Sequence, residues 1–185
     1  MPLGPFAVPL SSVYGVKVHA NDLNPVSYKY LLENQVLNKC GDHLKAYNLD
    51  GRAFVRKLEE ENIVYHHAIM NLPAIAVEFL DVFRGWKPPI SNPSHLPIIH
   101  VHCFIKFQTV EDMENTALKR CENALGCPFN RQRDLIKIHI VRDVAPNKNM
   151  LCVSFKLPEE VKYLARIKVE EIDNDHAKTK KPRLN

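Results

Sequence analysis

No hydrophobic run in this 185-residue chain approaches the roughly 20 residues that a membrane-spanning helix needs. Nor is there an excess of charge of one sign outside the last few residues. The formal net charge of +4 equals the four cations Lys178, Lys180, Lys181 and Arg183, which leaves residues 1–177 formally neutral. Attraction to a polyanion must therefore come from local patches. The five cysteines, Cys40, Cys103, Cys121, Cys127 and Cys152, are odd in number and show no close-paired metal spacing, which fits reduced thiols in an intracellular compartment. No Ser-His-Asp set or carboxylate pair points to hydrolysis. His100 and His102 would share one face of a strand, but no third ligand is evident and no metal is expected. With 45% hydrophobic residues, the chain is expected to bury one core as one soluble domain.

What is present is an alternation of strand and helix signals. Val16, Val18 and Ala20 suit a buried strand that runs into Asp22. Asn24 can cap a helix through its side-chain oxygen, and Pro25 fits the first helical position, where no amide donor is needed. The pattern predicts a helix over residues 25–37, a strand over 44–49 and a helix over 51–60. A short strand over 66–72 ends in Asn71-Leu72-Pro73, after which Ile75, Phe79, Val82 and Phe83 fall at helical spacing. Beyond a proline-rich loop over 85–94, residues 98–107 form the strongest strand. A helix over 111–125 closes at Gly126, and strands over 136–142 and 151–157 flank a turn over 145–149.

Alternating units finished by paired strands predict an α/β fold with a mostly parallel sheet and an antiparallel edge. Asp22 would then stand at a carboxyl-terminal strand edge, where open α/β sheets bind ligands. An ionised carboxylate there can accept hydrogen bonds from two vicinal ribose hydroxyls. A solvated acid in a strand-to-helix turn is the other reading open at this point.

Five motifs carry a resemblance. Gly4-Pro-Phe-Ala-Val-Pro9, Asn21-Asp-Leu-Asn-Pro25, Asn48-Leu-Asp-Gly-Arg52, Asn71-Leu-Pro73 with Glu78-Phe-Leu80, and Arg142-Asp-Val-Ala-Pro-Asn-Lys-Asn-Met150 occur in the order seen in the eukaryotic and archaeal tRNA (guanine(37)-N1)-methyltransferase family. The chain resembles that family from Gly4 to about Leu157. The resemblance implies a Rossmann-like class I methyltransferase domain over residues 1–172, followed by a basic tail over 173–185 that is expected to be disordered. It implies S-adenosylmethionine as cofactor and the anticodon loop of tRNA as partner, with the methyl group passing to N1 of the guanine beside the anticodon. A monomer without metal or membrane association is implied, in the mitochondrial matrix, cytoplasm or nucleus; residues 1–10 are neither Arg-rich nor a secretory signal.

The resemblance also assigns residues. Asp22 would accept the cofactor's ribose hydroxyls, Leu23 would lie against the adenine, and Asp50 would accept from the adenine's amine, with Gly51 allowing close backbone approach. Gly4 and Phe6 resemble the end of the loop beneath the methionine portion. Asn71 and Pro73 would line the transfer site, Asn71 touching cofactor as well. Arg131, Arg133, Lys137, Arg142 and Lys148 are candidates for RNA phosphate contact, or for ordinary surface solvation. Asp50 suits a helix N-cap equally, Gly4 an ordinary turn, and Asn71 a buried strand-end cap.

The family's first strand would stand before Gly4, where only Met1-Pro2-Leu3 precede; three residues span at most about 11 Å and cannot supply it. The expectation is a chain truncated at its amino terminus, lacking the central strand between those ending at Asp22 and Asn71. Its loss would leave unpaired backbone groups on both neighbours, each costing roughly 1–3 kcal/mol if buried without a partner. The family's proton-accepting residue lies upstream too, so no general base is named. Two alternatives stay open: a non-catalytic fragment, and a class I methyltransferase acting on another acceptor.

Overall fold

Asn24 and Pro25 start a helix where the sequence predicts one: the Asn24 side chain accepts from the Val26 amide at 2.9 Å, and helix α2 runs Pro25–Leu37. The computed structural model describes residues 5–107 and 109–166; Gly4 and the basic tail over 173–185 lie outside the described residues. It divides into two compact units, Met1–Glu61 and Asn62–Asn185.

Unit 1 contains α1 (Ala7–Ser12), β1 (Val18–Asn21), α2, β2 (Leu44–Tyr47) and α3 (Gly51–Glu60). Strands β1 and β2 pair in parallel from Val18↔Leu44 to Asn21↔Tyr47. A small cluster of Ala7, Leu31, Cys40 and Leu44 lies within the unit, with Val8, Val18, Ala20 and Ala46 packed against it. Strand β1 begins two residues later than the apolar pattern suggests. The Val16 amide is already committed to the Leu10 carbonyl at 2.9 Å, across a turn in which Gly15 has φ +63°, so it cannot join a ladder.

Unit 2 contains β3 (His67–Met70), β4 (Ile98–Lys106), α4 (Val110–Leu125), β5 (Leu135–Ala145) and β6 (Lys148–Lys156), in the sheet order β3-β4-β6-β5. Strands β3 and β4 are parallel, and β6 runs antiparallel to both its neighbours, the expected antiparallel edge. Period-two alternation sends Ile99, Val101, Cys103 and Ile105 of β4, with Leu151, Val153 and Phe155 of β6, to one fully buried face. Helix α4 packs against β4 with Met113, Ala117, Leu118, Cys121 and Leu125 buried. Thr109 caps its start by accepting from the Asp112 amide, and Gly126 ends it in the left-handed conformation at φ +80°.

Two expectations need correction. Residues 75–83 do not form an α-helix: a turn leads into a 3-10 segment, Glu78–Phe83, held by Glu78→Ile75, Leu80→Val77 and Arg84→Asp81 bonds. Three residues per turn change which side chains face inward, so Ala76, Val77, Leu80, Val82 and Phe83 are buried while Ile75 is exposed. The turn expected over 145–149 is only Pro146-Asn147. Asn147 adopts φ +55°, which asparagine tolerates, so both strands run closer to the turn than their apolar residues indicate. Among the described residues no helix is long and apolar enough to cross a membrane.

Candidate functional site

In unit 1 the register ends β1 and β2 side by side, so the loops after Asn21 and Tyr47 leave the same carboxyl edge of a parallel pair. Side chains lock these loops together. Asn21 and Leu49 exchange two hydrogen bonds, the Asn21 Nδ2 donating to the Leu49 carbonyl at 2.8 Å and the Leu49 amide donating to Asn21 Oδ1 at 2.9 Å. Asn48 Nδ2 donates to the carbonyls of Asp22 (2.7 Å) and Leu23 (3.0 Å). The buried Tyr47 ring packs on Phe54 of α3 at 5.0 Å between centroids, which seats the helix after the second loop.

Two carboxylates emerge from this brace. Asp22 Oδ1 accepts from the Asn24 amide at 2.9 Å, and Asp50 Oδ1 accepts from the Arg52 and Ala53 amides at 2.8 and 3.3 Å as the N-cap of α3. Each leaves Oδ2 without a partner among the described residues. Leu23, between the two in the chain, is 66% exposed. Carboxylate acceptors and an exposed aliphatic side chain on two loops tied together are groups that can hold a diol and a flat ring. Gly51 opens α3 without a positive φ, and Phe6, half exposed, precedes α1. The N-cap role of Asp50 is therefore real and uses one oxygen only.

In unit 2, Asn71 follows β3 and is exposed, so it is not a buried strand cap. The Leu72 carbonyl accepts from the Ile75 and Ala76 amides, and the Pro73 carbonyl accepts from the Phe104 amide of β4 at 3.1 Å. Asn71 thus stands just ahead of a segment fixed to the sheet.

The five basic candidates separate. Arg133 grips the buried Asp134 through two bonds of 2.6 and 2.9 Å and also reaches Glu160; the hydrogen bonds to Asp134 and then Glu160 hold its pKa up. Arg131 donates to Asn115 at 2.7 Å. Lys137 and Arg142 stand on β5 and Lys148 on β6. Sequence reasoning missed the Asn21 and Asn48 braces, although both residues lie inside quoted motifs. It missed His67 as well, which stacks on His100 and shares a 3.0 Å hydrogen bond with it, while His100 Nδ1 lies 2.8 Å from Ser154 Oγ. No cluster of three metal-ligating side chains exists among the described residues. Burial pushes the Cys103 thiol up to about 11 and raises that of Cys121 too, so neither serves as a nucleophile near neutral pH.

Comparison with known proteins follows the same residues. Residues 2–125 match the family model described as the TRM5/TYW2 methyltransferase domain. A tRNA (guanine(37)-N(1))-methyltransferase 1 from Phaeodactylum tricornutum is 49% identical over 174 residues, covering 92% of this chain and 38% of the relative, so the chain spans well under half of that protein's length. An aTrm5–tRNALeu complex superimposes with a TM-score of 0.52 at 25% identity, covering 77% of this chain and 35% of that one. The structure of M. jannaschii TYW2 in complex with AdoMet aligns with a TM-score of 0.59, covering 82% of this chain and 62% of that chain; at 21% identity it shows the fold alone.

Proposed function

Because the chain belongs to the TRM5/TYW2 methyltransferase family, we propose that residues 1–172 are the catalytic portion of a tRNA (guanine(37)-N1)-methyltransferase that binds S-adenosylmethionine at the carboxyl edge of β1 and β2. One observation carries the reading: Asp22 and Asp50, each with one carboxylate oxygen uncommitted among the described residues, and exposed Leu23 stand on two loops locked together by Asn21 and Asn48. Asp22 accepts from the ribose hydroxyls, Leu23 lies against the adenine and Asp50 accepts from its amine, while Gly4, Phe6 and Gly51 complete the cofactor contacts.

S-adenosylmethionine, when bound, supplies a methyl group on a sulfonium, open to in-line displacement by a ring nitrogen. The protein's part is to align the partners and exclude competing orientations. The Asn71 amide offers both a donor and an acceptor to the edge of an unstacked guanine, and Pro73, pinned through its carbonyl to β4, forms a stiff wall. We assign the tRNA anticodon loop as partner, a monomeric state, and the family's compartments of mitochondrial matrix, cytoplasm and nucleus as parts of the same proposal.

Calorimetric titration with S-adenosylmethionine tests it. Saturable binding is expected, weakened roughly 10- to 100-fold in Asp22→Ala by the loss of charge-assisted hydrogen bonds. Methyl transfer to tRNA carrying guanine at the target position, and not to tRNA carrying adenine there, would fix the acceptor. The non-catalytic reading draws on one observation: among the described residues β1 and β3 each pair along one edge only. A folded chain that takes up no cofactor would establish that reading instead.

A further inference from the structure

The sheet of unit 2 has two unlike faces. One is the buried apolar face of β4 and β6. The other is defined by the pairs His100↔Ser154, His102↔Cys152, Phe104↔Met150 and Lys106↔Lys148, joined from β5 by Lys137↔Ser154, His139↔Cys152 and Arg142↔Met150; His102 and Met150 in its middle are buried, and its exposed residues lie at the strand ends and on β5. Five cations stand on this second face: Lys106, Lys137, Arg142, Lys148 and Lys156. Among the described residues of the four strands no carboxylate shares it, because Asp143 pairs with Asn149 on the opposite side. In a chain whose residues 1–177 sum to zero charge, this is a strong local segregation.

Irregularities in β5 produce part of that segregation. Continuing the register from Leu135↔Phe155 without a shift would set Lys137 opposite Val153, on the buried face. The shift at Ile136 sets it opposite Ser154 instead. Likewise, the shift at Val141 brings Arg142 opposite Met150 rather than Asn149. Each irregularity turns one cation to the open side, a known use of β-bulges. Lys106, Lys137, Arg142 and Lys156 are exposed, and the Lys148 ammonium lies 5.0 Å from the Phe104 ring centroid. From Lys148 to Lys156 the cations span about 27 Å of strand, enough for several phosphates of a nucleic-acid strand.

We propose that the exposed cationic rim of this face is a phosphate-contacting surface for RNA, a deepening of the reading above on which it rests. Lys106, Lys137, Arg142, Lys148 and Lys156 meet the backbone, and Phe104 and His139, standing among them, offer rings on which unpaired bases stack. That mixture of cations with rings fits RNA better than an acidic peptide, which has no use for the rings. Arg131 and Arg133 have no part in the surface, since they are engaged with Asn115 and with Asp134 and Glu160.

The test measures binding of a fluorescein-labelled anticodon stem-loop RNA by anisotropy across a series of KCl concentrations. The triple variant Lys137→Ala, Arg142→Ala, Lys156→Ala removes three exposed charges. The control variant Lys29→Ala, Lys57→Ala, Lys162→Ala removes three charges that face Glu33, Glu61 and Glu159. Circular dichroism and thermal melting of each variant confirm an intact fold. The expected result is at least about a tenfold loss of affinity at 0.1 M salt in the first triple, with the log–log salt slope shallower by about 2 to 3, and little change in the control. Equal losses in both triples, no loss in the first, or displacement of the RNA by polyglutamate as readily as by unlabelled RNA would overturn the proposal while leaving the methyltransferase reading in place. Failure of the unsubstituted chain to bind the RNA at all would overturn both.

Discussion

Unit 1 pairs two four-residue strands over a small cluster built on Ala7, Leu31, Cys40 and Leu44, whereas unit 2 pairs four strands of up to eleven residues over a core that includes Leu80, Phe83, Ile99 and Phe155. Large apolar side chains stand in solvent in both units, Val36 and Leu37 at 77% exposure in the first and Ile90 and Tyr163 at 81% and 82% in the second, so it is the buried side that separates them. A two-stranded sheet is marginal by itself, and buried apolar area is the main source of stability. The loops that carry Asp22 and Asp50 are positioned by side-chain hydrogen bonds from Asn21, Asn48 and Asp50, on a weakly buried base, while the sheet of unit 2 rests on a dense core. Opening at the carboxyl edge of β1 and β2 should therefore cost less than opening of the large sheet.

The sharpest way to break that comparison is at the cores. Phe155→Ala should cost about 3–5 kcal/mol, read as a lower urea midpoint with loss of amide protection in β4 and β6. Leu31→Ala should strip protection from α2 and β2; protection that survives there would contradict the weaker ranking of unit 1. A smaller effect is expected at Gly126, whose φ of +80° and 3.0 Å approach of an added Cβ to Arg84 Nε disfavour any side chain. Gly126→Ala should cost about 1–2 kcal/mol by thermal melting. Next comes Asp50: Asp50→Ala should lose about 1 kcal/mol with its cap, while Asp50→Ser keeps the cap. Weakened cofactor binding in both variants would separate the carboxylate's ligand role from its structural one.

The smallest effect concerns acid. Burial, then the charges of His67 and His102, hold the His100 pKa below the ordinary histidine value of 6.5. The unfolded chain takes that proton first, so unit 2 should keep its full stability above pH 6.5 and lose some as pH falls from there towards the folded pKa. His100→Gln should flatten this slope in urea titrations at several pH values.

Most of the elements were legible in the sequence because their signals are local. Asn24-Pro25 and Asp50-Gly51 fixed the starts of α2 and α3, and Gly126 the end of α4. The segment after Pro73 was misread because apolar residues at spacing four can be mistaken for an α-helix when i→i+3 bonds are what form. At the candidate site, Asp22 and Asp50 were visible through their motifs. The engagement of Arg133 with Asp134 and Glu160 was not, since Glu160 lies 27 residues away. Nor was the facing of Lys137 and Arg142, because an irregular register inverts what simple alternation predicts.

The buried thiols have a practical consequence. Cys40 lies in the small cluster of unit 1, and Cys103 and Cys121 lie in the core of unit 2, all sealed from solvent. A disulfide reagent added to the native chain can reach them only through transient exposure, so each sulfur acts as an internal clock for its own neighbourhood. Site-resolved labelling rates would give the frequency of local opening in each unit from a single tag-free sample: half-buried Cys152 reacts without opening, and Cys40 is expected to react before Cys103 and Cys121.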